Sequence, residues 1–131
     1  MRTAKEWFKQ AAYDLGTARA MLKSKRNIYA VFMSHLAVEK ALKGLYQHRL
    51  GKTPPKTHNL MFLARECRIE STAPEDIARL FTQLTEAHVV TRYPEDLRAL
   101  QAVFPDKRVR ALMTRSKEAI AWIKRQSEET S

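Results

Sequence analysis

Apolar residues recur three and four positions apart through almost the whole chain, and this periodicity most constrains the fold. It predicts long helices over about 3–25, 27–50 and 105–127. The apolar stripe of the first helix consists of Phe8, Ala11, Ala12, Leu15, Ala18 and Leu22. No segment alternates apolar and polar residues over five or more positions, and only 3 glycines and 5 prolines interrupt 131 residues. The pattern therefore predicts an all-α fold rather than a turn-rich β fold.

Capping signals predict where these helices begin and end. Thr3 and Glu6 form a capping box at the first helix, and Asn27 is expected to cap the second helix, which Gly51 ends. A second capping box begins at Thr72. Shorter helices are expected over about 59–68, 72–90 and 95–101. Together these segments predict an up-and-down bundle of four to five helices.

The chain is expected to form one domain over residues 1–131, because no linker or repeat divides it. No apolar run approaches the roughly 18 residues that suggest a membrane span. The first fifteen residues carry charge where a signal peptide needs an apolar stretch. We therefore expect a cytoplasmic protein with no membrane association.

The sequence contains no motif that indicates a metal site or a bound cofactor. Cys67 is the single cysteine, and the histidines at 35, 48, 58 and 88 include no pair with metal-ligand spacing. No glycine-rich phosphate loop and no nucleophile elbow are present. We expect no metal site and no cofactor. His35 falls among apolar positions of the second helix, so it is predicted to be an interior histidine held by Glu39.

The chain carries 24 basic and 14 acidic residues, which gives a net charge of +10. Such an excess favours an acidic partner, such as nucleic acid, a nucleotide or an acidic protein surface. No acidic residue interrupts the basic stretch, which comprises Lys40, Lys43, Arg49, Lys52, Lys56 and Arg65. A second basic cluster at the start of the last helix comprises Lys107, Arg108 and Arg110. The alternative interpretation of either group is a solvated helix face.

His88 and Arg92 are four residues apart near a predicted helix end, so both side chains can face one side. A histidine and an arginine can cleave RNA without a metal. The histidine moves the 2′-hydroxyl proton, and the arginine stabilises charge that develops on the phosphate. In the alternative, Arg92 and Tyr93 only fasten the helix break at Pro94 to a neighbouring helix.

Three sequence motifs occur in order: Ala37–Lys43 on the second helix, Lys56–Leu60 in the loop that follows, and Thr91–Pro94 at a helix end. With these motifs, the chain resembles the HEPN family of small all-α proteins from about Trp7 to Ile123. The resemblance implies a helical bundle that commonly forms a homodimer. Such proteins are often encoded beside a minimal nucleotidyltransferase. The two can form a toxin–antitoxin pair in which the helical protein is the ribonuclease, and nucleotide binding was the activity first proposed for the family.

The resemblance carries over only the matched positions 39–43, 56–58 and 91–94. The family's ribonucleases carry an Arg-x(4–6)-His motif, and this chain departs from it. Eight residues separate His35, His58 and His88 from the nearest preceding arginine, and His48 has none within range. The ribonuclease residues are therefore not transferred from the family.

We expect first a HEPN-like nucleotide- or RNA-binding protein that acts with a minimal nucleotidyltransferase. The second hypothesis is a metal-independent endoribonuclease that uses His88 and Arg92, and the third is a structural docking partner. The predicted nucleotide- or RNA-binding residues form one electropositive surface and are Lys40, Lys43, Lys56, His58, Arg92 and Tyr93. Lys40 and Lys43 are predicted to be exposed. A homodimer is expected, with Tyr29, Met33 and Tyr46 beside the core stripes.

Overall fold

The computed structural model describes residues 2–129. Within this range it contains six α-helices and no strand, so the prediction of an all-α bundle is confirmed. The long helices are α1 (Ala4–Lys23), α2 (Asn27–Leu50), α4 (Glu75–Arg92) and α6 (Asp106–Glu129). The short helices are α3 (Leu60–Glu66) and α5 (Leu97–Val103). Each predicted helix is present, with ends that differ from the prediction by up to about three residues.

The first two helices form a tight antiparallel hairpin. Near its start, α1 contacts the end of α2, where Trp7 Nε1 donates a hydrogen bond of 3.0 Å to Gln47. Gly44 allows this close approach, because a Cβ atom at that position would lie 3.0 Å from the Cβ of Trp7. The connecting turn is only three residues long, and Lys25 within it has a positive φ of 63°.

Two of the predicted helix ends are confirmed. Thr3 caps α1, and its hydroxyl accepts a hydrogen bond of 3.0 Å from the Glu6 amide. Gly51 ends α2 in the left-handed region, with φ 64°, where a residue without a Cβ is favoured. Gly51 and the prolines that follow it stop the longest apolar stripe of the chain at the predicted residue.

Two other predicted caps are wrong. Asn27 is the first residue of α2 rather than its cap; its side-chain amide donates to the carbonyl of Phe104 (3.0 Å) and to Asp106 Oδ1 (2.8 Å). Asn27 therefore ties α2 to the start of α6. Thr72 does not cap α4, because Pro74 holds that position without a side-chain bond and the Thr72 hydroxyl donates to Ile69. In both cases tertiary contacts or the proline replace the local cap.

Helix α2 lies at the centre of the bundle and packs against α1, α3, α4 and α6. Its buried residues occupy more than one side of the helix, which suits an element covered by several neighbours. Large fully buried side chains around it include Leu42, Leu45, Leu60, Leu63, Phe81, Leu84 and Ile123. None of the helices within residues 2–129 has the length and apolar content that a membrane span requires.

The break between α4 and α5 lies beside the candidate site. Helix α4 continues to Arg92, two residues beyond the predicted end, and Tyr93 is its C-terminal cap residue. Pro94 cannot continue the helix, and α5 begins only after Asp96, whose side chain accepts a hydrogen bond of 3.0 Å from the Ala99 amide. Arg92 and Tyr93 are therefore placed at a helix end.

Candidate functional site

Half of the basic stretch is directed inward, and the prediction of an exposed Lys43 is wrong. The Lys43 ammonium lies 3.0 Å from Glu39 Oε2, and the residue is only 9% exposed. The same prediction is wrong for Lys40, which is half-buried and pairs with Asp14 at 2.8 Å. Arg49 donates to the carbonyl of Cys67. These three cations compensate interior groups, so they do not contribute to the open positive surface that the sequence predicted.

Glu39 is the buried centre of the site, with 3% exposure. Its Oε1 atom lies 2.8 Å from Nδ1 of His58, and its Oε2 atom accepts a hydrogen bond from Lys43. The carboxylate is therefore bonded at both oxygens. Because an ionised carboxylate can only accept hydrogen bonds, Nδ1 of His58 carries a hydrogen and donates this hydrogen bond to Glu39. In the neutral ring, the lone pair of His58 is then on Nε2.

A second histidine fixes the backbone of the loop that carries His58. His35 is fully buried on α2, and its Nε2 atom donates to the carbonyl of His58 at 2.8 Å. The prediction that His35 is an interior histidine is confirmed, but Glu39 is not its hydrogen-bond partner. The His35 Nδ1 atom is 3.9 Å from Glu39 Oε1, beyond hydrogen-bond distance. Both the ring and the carbonyl of His58 are thus held by residues of α2.

His88 completes a cluster of three imidazoles. Its ring stacks on His35 with centroids 4.2 Å apart and lies 4.7 Å from the ring of His58. Phe32 packs on His88 at 5.5 Å. Burial lowers the pKa of His35 to about 4, and burial also lowers the pKa of His88, assisted by the charges of His58 and Arg92. Both inner imidazoles are therefore neutral at pH 7, and the side chain of His58, with 52% exposure, is the accessible member.

A cavity of about 380 Å³ opens above this cluster, and we call it the His58 cavity. Its lining residues are His58, Asn59, Thr85, His88, Val89, Arg92 and Tyr93. Thr85 helps to set its shape, because its hydroxyl accepts a hydrogen bond of 3.1 Å from the Leu60 amide and so joins α3 to α4. The cavity brings together an imidazole, a guanidinium and an aromatic ring, three groups that suit phosphate and base recognition.

Tyr93 is shared by two further cavities beside the His58 cavity. One, of about 230 Å³, is also lined by Tyr29, Phe32 and Arg92, and the other, of about 500 Å³, has mostly apolar walls between α4 and α5. The Tyr93 side chain is 76% exposed, and the Arg92 guanidinium lies 5.4 Å from its ring centroid. The ring therefore stands at the rim of all three cavities, where a flat ligand can reach it.

A family model for the HEPN domain matches residues 4–126. The chain belongs to the HEPN family. No curated protein matches it. Two solved structures are similar to this HEPN chain over nearly its whole length. They are those of ST0689, an archaeal HEPN homologue, and of TT1696 from Thermus thermophilus.

The archaeal HEPN homologue is 26% identical to this chain, with a TM-score of 0.77 over 97% of this chain and 99% of its own. The Thermus protein is 24% identical, with a TM-score of 0.81 over 95% of this chain and 98% of its own. The first agrees with the family assignment, and the second shows the fold. The overall fold is therefore common to these two structures and this chain.

The remaining predicted residues of this HEPN chain lie apart from the cavity. Lys56 is exposed in the loop, two residues before His58, but it does not line the His58 cavity, and neither do Lys40 and Lys43. Tyr46, one of the residues proposed for a dimer surface, is 8% exposed and packs in the core. The structure thus brings His58, His88, Arg92 and Tyr93 together in one cavity, whereas none of the three lysines lines it. Lys43 reaches His58 only through Glu39.

Within residues 2–129, the structure offers neither a metal site nor a reactive thiol. No group of three or more histidine, cysteine, aspartate or glutamate side chains in this range is arranged to hold a metal ion. Cys67 is buried in the core, and burial raises the pKa of its thiol to about 12, so it is not a nucleophile at neutral pH. The chemistry available to the site is that of imidazole, carboxylate and guanidinium.

Glu39 lies in a segment that matches the family, but the sequence does not reveal its contact with His58. Helical spacing places it beside His35, four residues earlier, whereas its short contact crosses to a loop nineteen residues away. Its position on an apolar stripe, with Lys43 one turn later, is the available signal. A carboxylate and an ammonium side by side on a buried face indicate an internal ion pair.

Proposed function

We propose that this HEPN protein binds the phosphate of a nucleotide or of RNA in the His58 cavity, with the Tyr93 ring against a base. One observation carries the proposal: His58 from the loop and Arg92 from the end of α4 line the same cavity. A guanidinium forms paired hydrogen bonds to phosphate oxygens, and an exposed aromatic ring stacks on any base. The proposal includes the family's associations, a homodimer and a minimal nucleotidyltransferase partner.

The proposal predicts that Arg92→Ala weakens binding of ATP and of a single-stranded RNA about tenfold or more, because a hydrogen bond to a charged group contributes about 1.5–3 kcal/mol. Fluorescence anisotropy at low salt measures both affinities. Arg98→Ala is the matched control, because Arg98 is also exposed and lies only six residues away, outside the cavity lining. Equal effects of the two variants, or no binding of either probe by the wild-type protein, would show that the proposal is wrong.

The Glu39–His58 contact favours one second function, metal-independent RNA cleavage. With Nδ1 bonded to Glu39, Nε2 of His58 can take the proton from a ribose 2′-hydroxyl. The 2′-oxygen then attacks the adjacent phosphorus and the bond to the 5′-oxygen breaks. The leaving 5′-oxygen takes a proton from water, so that a 2′,3′-cyclic phosphate and a 5′-hydroxyl form. Arg92 would stabilise the charge on the phosphate. We assign the base to His58 rather than His88, because the ring of His88 is buried among other rings.

If the protein is a ribonuclease, His58→Ala should reduce RNA cleavage in EDTA about a hundredfold or more, in keeping with the loss of a general base. The His48→Ala variant, which changes an exposed histidine outside the cavity lining, should cut at the wild-type rate. Gel analysis of a labelled RNA with a single-turnover excess of protein gives both rates. If RNA is bound but not cut in EDTA, only the binding function is supported. If His58→Ala cuts RNA at the wild-type rate, the assignment of His58 as the general base is wrong.

A further inference from the structure

A groove between α1 and α6 carries a concentration of positive charge that the His58 cavity does not involve. Two adjoining cavities of about 360 Å³ each lie along it, and they share Arg19, Arg110 and Met113. The remaining cations are Lys23 at the end of α1, Lys25 in the turn that follows and Lys117 on α6. We call this feature the α1/α6 groove. Five cations therefore line one continuous depression.

The acidic side chains near the groove compensate few of these charges. Asp106 lies 2.6 Å from the Lys25 ammonium and 3.8 Å from the Arg110 guanidinium, so its charge is shared between two cations. Within residues 2–129, Arg19, Lys23 and Lys117 form no ion pair. In contrast, Lys40 and Lys43 of the basic stretch each face a carboxylate. Like charges collected in a depression focus a positive potential there.

The spacing of the cations favours a ligand with several phosphates. Arg110 and Lys117 are seven residues apart on α6, which corresponds to about 10 Å along the helix. A nucleic-acid strand carries one charge per about 3.4 Å of helix axis, so contact with both cations needs more than one phosphate. Arg19 and Lys23, which are four apart on α1, face the groove from the other side. A single phosphate cannot contact all of them.

The other groups that line the groove indicate how the ligand is recognised. They are Leu15, Leu22, Met113 and Thr114, and no aromatic side chain is among them. A base therefore has no ring on which to stack, and the contacts available are those to phosphate. The concave shape also suits a strand better than a flat membrane surface, which would not enter a depression between two helices.

We propose that the α1/α6 groove binds the phosphate backbone of a nucleic-acid strand independently of base sequence. Arg19 and Arg110 are its central contacts, since both line each of the two cavities. The groove is built from α1 and α6, whereas the His58 cavity is built from α4 and the segment before α3, so the two sites differ in every lining residue. The inference does not depend on the activity proposed for the His58 cavity.

The test is a double variant, Arg19→Gln with Arg110→Gln, measured by fluorescence anisotropy on a labelled single-stranded RNA of about 20 nucleotides over a range of KCl concentrations. The slope of log K against log salt should become less steep by about 1.4, because each phosphate contact to a single strand contributes about 0.7. Affinity at low salt should fall at least tenfold. The same loss is expected for RNAs of unrelated sequence. Binding of ATP, whose short phosphate chain cannot span the groove, should not change.

The matched control is Arg65→Gln with Arg115→Gln, which removes the same charge from two exposed arginines outside the groove. It should leave the salt slope near the wild-type value, and circular dichroism should show both double variants folded. Equal losses in the two variants would mean that net charge alone drives binding, which overturns the proposal. The proposal is also overturned if wild-type protein binds vesicles of phosphatidylserine but no RNA, or binds neither.

Discussion

Replacing Glu39 with leucine is expected to lower the free energy of unfolding by about 3–5 kcal/mol, because it leaves a buried cation without its partner. The Lys43 ammonium loses the oxygen at 3.0 Å, and Nδ1 of His58 loses its acceptor at 2.8 Å. Lys43→Met alone should be similarly costly, since the Glu39 carboxylate then remains buried without the ammonium. Urea denaturation at pH 7 measures these free energies.

The double variant, Glu39→Leu with Lys43→Met, should be more stable than the sum of the two single losses predicts, because it removes both charges from the interior. The exposed pair Glu75 and Arg79 is a suitable control: it has the same spacing on a helix and an oxygen–nitrogen distance of 2.8 Å. Removing that pair should change stability by only about 0.3–0.5 kcal/mol. Additive losses for the buried pair would contradict this account of Glu39.

Acidification from pH 7 to pH 4 should lower the free energy of unfolding by about 3 kcal/mol through His35 alone. Burial lowers the pKa of His35 from 6.5 to about 4 in the folded protein. Between these values the unfolded chain binds the proton and the folded chain does not, so protons favour unfolding. The contribution is fully present above pH 6.5 and is lost as the pH falls towards 4. The lowered pKa of His88 adds a loss of the same sign.

The variant His35→Gln separates this effect from that of the carboxylates, because glutamine retains an N–H donor for the His58 carbonyl and does not titrate. Its stability should depend less on pH between 7 and 4 than that of the wild type, by about 3 kcal/mol over the interval. His48→Gln, at an exposed position, should keep the wild-type dependence. The same pH dependence in His35→Gln and in the wild type would exclude His35 as the cause.

The helices could be predicted because their signals are local. Gly51 after the apolar stripe of α2 predicted where that helix ends, and the Thr3 cap depends on a residue only three positions away. The caps that failed show the limit of that reasoning. Asn27 has a side chain that suits a cap, but Phe104 and Asp106, distant in sequence, provide its partners.

The site could be predicted only in part, because its geometry is tertiary. Sequence spacing brings His88 and Arg92 together. The family motifs add His58 and Tyr93, and also Glu39, but without its partner. The basic stretch alone does not show whether its lysines are exposed or paired, because their acidic partners lie outside it. Glu39 lies one residue before it, and Asp14 lies on another helix, and each pairs with a lysine. Charge patterning along a chain shows which signs are present, but not which groups the fold pairs.

The double attachment of His58 to α2 determines whether the entropic cost of fixing its side chain is incurred during folding or on ligand binding. Immobilising a flexible side chain when a ligand arrives costs about 0.5–1.5 kcal/mol, and that cost weakens binding. The ring of His58 is already held by Glu39 and its carbonyl by His35 before any ligand is present. Its rotational freedom is therefore given up during folding, and the imidazole presents one orientation to any ligand that enters the cavity.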